Sequence, residues 1–181
     1  MHTTRNRLIA AIGAVMATTA LTITSLASPA AAAPLIMTRT ARPAAVYEVA
    51  GQVTDPGPAY SDITPDGALI RFMASGGSHW SGALEGDTTY RGPGVFDPAT
   101  GNADILLNET FTGTLASLGA GRLDCIDFLH QNADGSGALE LWVIRGSGQL
   151  QGLHGHIHFS WSATNPDGSV DGTFQGILYR L

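Results

Sequence analysis

Gly152-Leu153-His154-Gly155-His156-Ile157-His158-Phe159-Ser160-Trp161 is the stretch that decides the fold. The three histidines recur at every second position, and Ile157, Phe159 and Trp161 fill the opposite phase. That alternation is what a β-strand with one wet and one dry face requires. Working outward, strong turn signals recur at Thr64-Pro65-Asp66-Gly67, Asp97-Pro98-Ala99-Thr100-Gly101, Asn132-Ala133-Asp134-Gly135 and Asn165-Pro166-Asp167-Gly168. Their spacing is about 33 to 35 residues, and the intervals hold glycine-punctuated alternating runs, not 3.6-residue amphipathic patterns.

The reading is therefore of about eight strands: Tyr47–Val53, Ala68–Ala74, Ser78–Tyr90, Ala103–Phe111, Gly121–Gln131, Ala138–Arg145, Gly152–Ala163 and Gly172–Arg180. With each turn closing a hairpin, the expected fold class is all-β, a small antiparallel barrel, lipocalin-like in outline, which leaves no exposed sheet edge. An open two-sheet sandwich is the alternative. The alternation does not say which phase of each strand points inward.

Residues 1–33 read as a signal peptide: Arg5 and Arg7, an uncharged run from Leu8 to Ala27, then Ala30-Ala31-Ala32-Ala33-Pro34 with small residues suited to cleavage. Residues 34–45 read as a flexible tether and residues 46–181 as the barrel domain, so the expected localisation is secreted or extracellular. Loss of the leader leaves seven arginines against 15 acidic residues, a formal charge near −8, and the chain has no lysine. That balance argues against nucleic acid and against an anionic membrane surface once the leader is cleaved. Cys125 is the only cysteine, so no internal disulfide is available; it reads as a small buried hydrophobe.

Two kinds of chemistry can be read from the residues. Imidazoles two residues apart on a strand can share a zinc or copper ion, so His154, His156 and His158 are candidate metal ligands, helped by Glu109, Glu140, His79 or His130 from neighbouring strands. The alternative is a solvent-facing polar strand face. The aromatic residues Trp80, Trp142, Trp161, Phe72, Phe111 and Phe128 could line a pocket for an apolar molecule or simply fill a core. Glu140 shares a face with Trp142 and joins Trp80, Phe111, Phe128 and Trp142 as a candidate ligand contact.

Several blocks also carry a likeness: Ser81-Gly82-Ala83-Leu84-Glu85-Gly86-Asp87, Asn108-Glu109-Thr110-Phe111-Thr112-Gly113-Thr114-Leu115, Phe128-Leu129-His130-Gln131, Gly146 to Gly155, and Asp171-Gly172-Thr173-Phe174. Together they resemble a bacterial domain family of unknown function related to the allene oxide cyclase and dirigent β-barrels. The resemblance implies an allene oxide cyclase-like barrel of about eight strands that binds small, mainly apolar molecules. Some relatives guide an intramolecular cyclisation without a redox cofactor, and related barrels assemble into homo-oligomers. Glu85, Glu109 and His130 fall on polar positions typical of the family, which makes them the candidate acid–base residues; His156 and Thr112 stand where acidic residues are expected. The function expected is thus a secreted small-molecule-binding barrel acting as a cofactor-independent isomerase or cyclase. A metal protein using the histidine strand and a non-catalytic carrier or interaction protein are the alternatives.

Overall fold

The computed structural model describes residues 45–180, and the leader and most of the tether read from the sequence lie outside them. No helix occurs among the described residues. The strands are β1 (Ala45–Asp55), β2 (Ala59–Asp66), β3 (Leu69–Gly76), β4 (His79–Gly82), β5 (Leu84–Asp97), β6 (Asn102–Leu115), β7 (Gly119–Gln131), β8 (Gly137–Gly148), β9 (Leu153–Trp161) and β10 (Val170–Arg180). Every pairing is antiparallel.

The order β5-β4-β1-β10-β9-β8-β7-β6 closes on itself through β5–β6, giving an eight-stranded antiparallel barrel. β3 continues along the β5 edge beyond β4, from Ile70 opposite Phe96 to Gly76 opposite Tyr90, and β2 pairs outside it. Closure satisfies the backbone groups that an open sheet would leave at its edges. The sandwich alternative is set aside by this closure.

The four turn signals all close hairpins, joining β2 to β3, β5 to β6, β7 to β8 and β9 to β10. Two are built alike: in Asn132-Ala133-Asp134-Gly135-Ser136 the Asp134 carboxylate accepts from the Ser136 N–H at 2.9 Å, and in Asn165-Pro166-Asp167-Gly168-Ser169 the Asp167 carboxylate accepts from the Ser169 N–H at 3.0 Å. Glycine supplies the left-handed residue in both, Gly135 at φ 84° and Gly168 at φ 88°.

Two expectations are corrected. Ser78 to Tyr90 is not one strand; the chain reverses about Ala83, so that His79 pairs with Asp87 and Trp80 with Gly86. No Asn-Gly or Asp-Gly marks this reversal, which uses Gly82 at φ 121°. The additional strand β2 also went unread, because its Pro65 and its bulge between Ser61 and Thr64 break the alternation.

The inward phase is now fixed. Val49 and Val53 of β1, Ile105, Leu107 and Phe111 of β6, Leu123 and Cys125 of β7, Leu139, Leu141 and Val143 of β8, Ile157, Phe159 and Trp161 of β9, and Phe174 and Leu178 of β10 are buried. The histidines of β9 therefore face outward. One end of the barrel is plugged by Leu84, Leu115, Leu123, Leu150, Leu153 and Leu178, each at most 2 % exposed. The β1–β2, β5–β6, β7–β8 and β9–β10 connections surround the other end.

Candidate functional site

At that unplugged end the barrel encloses a cavity of about 240 Å³. Its walls include Val53 and Asp55 of β1, Tyr60 of β2, Tyr90 of β5, Ile105 and Glu109 of β6, and Phe159 and Trp161 of β9. Trp80 forms part of the wall, with its ring packed on Phe174 at 4.7 Å and on Phe111 at 6.2 Å. Trp161 stacks on Phe159 at 5.3 Å and donates its Nε1–H to the Gly135 carbonyl at 2.9 Å, which ties the β7–β8 turn to the cavity rim.

The chemistry is concentrated on β6 and β7. Glu109 continues the inward phase Ile105, Leu107, and Asp127 continues the phase Leu123, Cys125; Glu109 is 5 % exposed and Asp127 is fully buried. Glu109 lies opposite Cys125 and Asp127 opposite Leu107, so the two carboxyls are diagonal cross-strand neighbours within reach of each other. Neither Asp127 oxygen has a hydrogen-bond donor beside it. Two carboxyls set this close in a buried site repel each other when both are ionised, so the pair keeps at least one proton. Burial, and then the Glu109 charge, push the Asp127 carboxyl up to about 11, while burial raises Glu109 as well.

Thr88, inward on the neighbouring strand β5, lies beside Glu109. Behind it the Trp80 indole N–H donates to Ser78 Oγ at 3.0 Å, and Ser78 Oγ lies 2.8 Å from Thr88 Oγ1, which also accepts the Ser78 N–H at 3.1 Å. Indole can only donate, so Ser78 Oγ accepts from Trp80, and the buried hydroxyls of Ser78 and Thr88 satisfy each other. Asp55 stands on the other wall, raised by its own burial, with its Oδ1 accepting the Gly57 N–H at 2.7 Å and a further hydrogen bond from Tyr90. Burial and the Asp55 charge push the Tyr90 phenol up, and burial beside the Asp127 and Glu109 carboxyls does the same to the Cys125 thiol. Both stay protonated at neutral pH.

Of the residues singled out in the sequence, Glu109, Trp80 and Trp161 line this cavity, and Phe111 supports Trp80 from within the core. The others lie elsewhere. The Glu85 side chain is 57 % exposed, with Oε1 3.5 Å from His79 Nε2. His130 is also on the outer face, its Nδ1 2.6 Å from Asp104, whose hydrogen bond raises the imidazole pKa. Phe128 and Trp142 are each 45 % exposed on the outside and do not line the interior, because the inward phase of β7 and β8 belongs to their neighbours.

Glu140 sits on the outer face between two of the β9 histidines: Oε1 is 2.8 Å from His158 Nδ1 and Oε2 is 2.6 Å from His156 Nε2. Its burial is outweighed by those two imidazoles, which lower its pKa. His154 lies apart, beside the Tyr179 ring at 6.2 Å. Among the described residues no three His, Cys, Asp or Glu side chains are arranged to hold a metal ion.

Asp127, Asp55 and Tyr90 were not singled out. The signal for Asp127 was present, an acidic residue in the otherwise apolar phase Leu123, Cys125, Leu129, and Asp55 likewise extends the phase of Val49 and Val53.

No family model matches the chain, and no curated protein matches it. Among solved structures, it is similar to a protein of unknown function from the DUF3224 family of Shewanella oneidensis MR-1, with 21% identity and a TM-score of 0.56 over 75% of this chain and 96% of that one. It is also similar to the pterocarpan synthase dirigent protein GePTS1, with 8% identity and a TM-score of 0.46 over 75% of this chain and 88% of that one. The fold is thus shared with a bacterial barrel family of unknown function, as the sequence resemblance implied.

Proposed function

We propose that this barrel binds one small, mainly apolar molecule in the cavity at its open end and isomerises or cyclises it without a redox cofactor. The observation that carries the reading is the position of Glu109, a buried acid on the wall of an apolar cavity, set diagonally across the strands from the fully buried Asp127 so that the two share at least one proton. Such a group takes a proton from a carbon acid and, as the resulting acid, returns it at another position, so that no net proton or electron is exchanged. The aromatic walls restrict the conformers of the bound chain, which lowers a cyclisation barrier further. The leader-like residues 1–33 and the acidic surface support an exported protein.

Native mass spectrometry of the tag-free protein purified from culture medium tests the binding half: a retained organic mass is expected, and its displacement by Trp161→Ala locates it. Incubating that complex in heavy water tests the chemistry. Deuterium entering a carbon position of the ligand, and failing to enter it in Glu109→Gln, is the expected result. A retained ligand with no exchange in the unmodified protein makes the barrel a carrier.

A further inference from the structure

We infer that the molecule this cavity takes carries a positive charge, an ammonium group set on an apolar body. The inference rests on the reading of the cavity as the ligand site. The cavity wall carries the carboxyl groups of Asp55, Glu109 and Asp167 and not one arginine, lysine or histidine. The ion pairs found among the described residues lie at Asp66, Glu85, Asp87, Asp104, Asp124 and Glu140, all outside the barrel. The interior acids therefore have no counter-charge of their own.

A buried carboxylate without a counter-ion is costly, and Glu109 and Asp127 have only each other and the proton they share as compensation. A ligand cation would complete it. The same cavity is lined by the aromatic side chains of Tyr60, Trp80, Tyr90, Phe159 and Trp161, the residue types whose ring quadrupoles hold ammonium groups. A carboxylate ligand would instead meet Asp55 and Glu109 in a low-dielectric space, with Asp167 at the exposed rim, and no cation, which excludes fatty-acid-like anions. An uncharged ligand would leave Glu109 as uncompensated as before.

Binding a cation draws the remaining acidic proton from the pair, so its affinity rises with pH; a neutral acceptor of the Asp127 or Glu109 proton behaves in the opposite sense. The groups facing Glu109 are Asp55 of β1, Thr88 and Tyr90 of β5, and Cys125 and Asp127 of β7. The phenol and the thiol are held well above neutrality, so a proton lost between pH 6 and pH 8 comes from the carboxyl groups.

The test titrates the purified protein with benzyltrimethylammonium, its uncharged carbon isostere neopentylbenzene, and phenylacetate, following the fluorescence of Trp80 and Trp161 at pH 6 and pH 8. The cation is expected to bind at least tenfold more tightly than the isostere, to bind more tightly at pH 8 than at pH 6, and to lose its advantage in Glu109→Gln; phenylacetate is not expected to bind. The titrations of the unmodified protein decide the matter if that variant does not fold. Equal or tighter binding of neopentylbenzene overturns the charge preference and leaves the cavity as a binding site. Binding of none of the three overturns both.

Discussion

At the scale of the residue, the informative side chain is Asp127. It is fully buried, its carboxyl is pushed up to about 11, and no role in packing calls for a carboxyl at that place between Cys125 and Leu129. Its folded pKa is raised above the unfolded value, so the folded state keeps a proton that the unfolded chain releases above about pH 4. The stability it permits is complete below that pH and is lost as pH rises, at up to about 1.4 kcal/mol per pH unit for one such group. Chemical denaturation at pH 5, 6, 7 and 8 should show a falling midpoint, and Asp127→Asn, which keeps a donor toward Glu109 but cannot ionise, should flatten that fall. An unchanged slope in the variant would place the proton elsewhere. The pair was half legible: alternation put Glu109 among apolar neighbours, and the family-like block drew attention to it. Asp127 carries the same signal, an acid in the apolar phase of Leu123, Cys125 and Leu129, but no family-like block covers it.

At the scale of the element, β9 shows what a strand pattern can and cannot convey. The alternation of His154, His156 and His158 with Ile157, Phe159 and Trp161 marks a strand, and the structure adds that the apolar phase is the inner one. The function of the histidines could not be read that way, because Glu140 reaches them from β8 and pairing partners are not written in either strand alone. The same strand depends on Gly155, at φ 153°, where an added Cβ would lie 2.2 Å from the Ile177 carbonyl oxygen and 2.8 Å from the Leu178 Cα. Backbone cannot give way as a side chain does. Gly155→Ala should therefore lower stability by more than about 1 kcal/mol, measured by thermal denaturation, although the substitution adds only a methyl group.

The strand β2 makes the opposite case. All eight of its residues are exposed, yet Tyr60 closes one side of the cavity and packs edge-to-face on Phe72 at 5.1 Å. An aromatic contact of that kind contributes about 0.5–1.5 kcal/mol beyond its buried area. Tyr60→Ala should cost little stability but speed the release of a cavity ligand, seen as a faster dissociation phase in stopped-flow fluorescence. A variant whose release rate is unchanged would remove β2 from the site.

At the scale of the whole molecule, the barrel divides its labour between its two ends. The antiparallel barrel follows from hairpin turns every 33 to 35 residues, which is why the architecture was legible; the split of β4 from β5, the outer strand β2, and which end is stoppered and which is hollow depend on contacts between distant segments, which were not. Leu150 illustrates the point. It sits in the β8–β9 turn with no exposed surface, its N–H donating to the Ser147 carbonyl at 3.2 Å, and it fills the space that a Cβ on Gly121 would otherwise occupy. Truncating a leucine so enclosed costs about 2–5 kcal/mol through lost transfer energy and the void it leaves. Leu150→Ala should therefore lower the denaturation midpoint sharply while leaving ligand affinity at the far end unchanged under conditions where the variant is folded. Glu109→Gln should do the reverse, removing a charge whose burial is unfavourable and so holding or raising stability while abolishing proton exchange. If both substitutions moved stability and binding together, the two ends would be one cooperative site, and the hollow end could not be treated as a separately adaptable pocket on a stable frame.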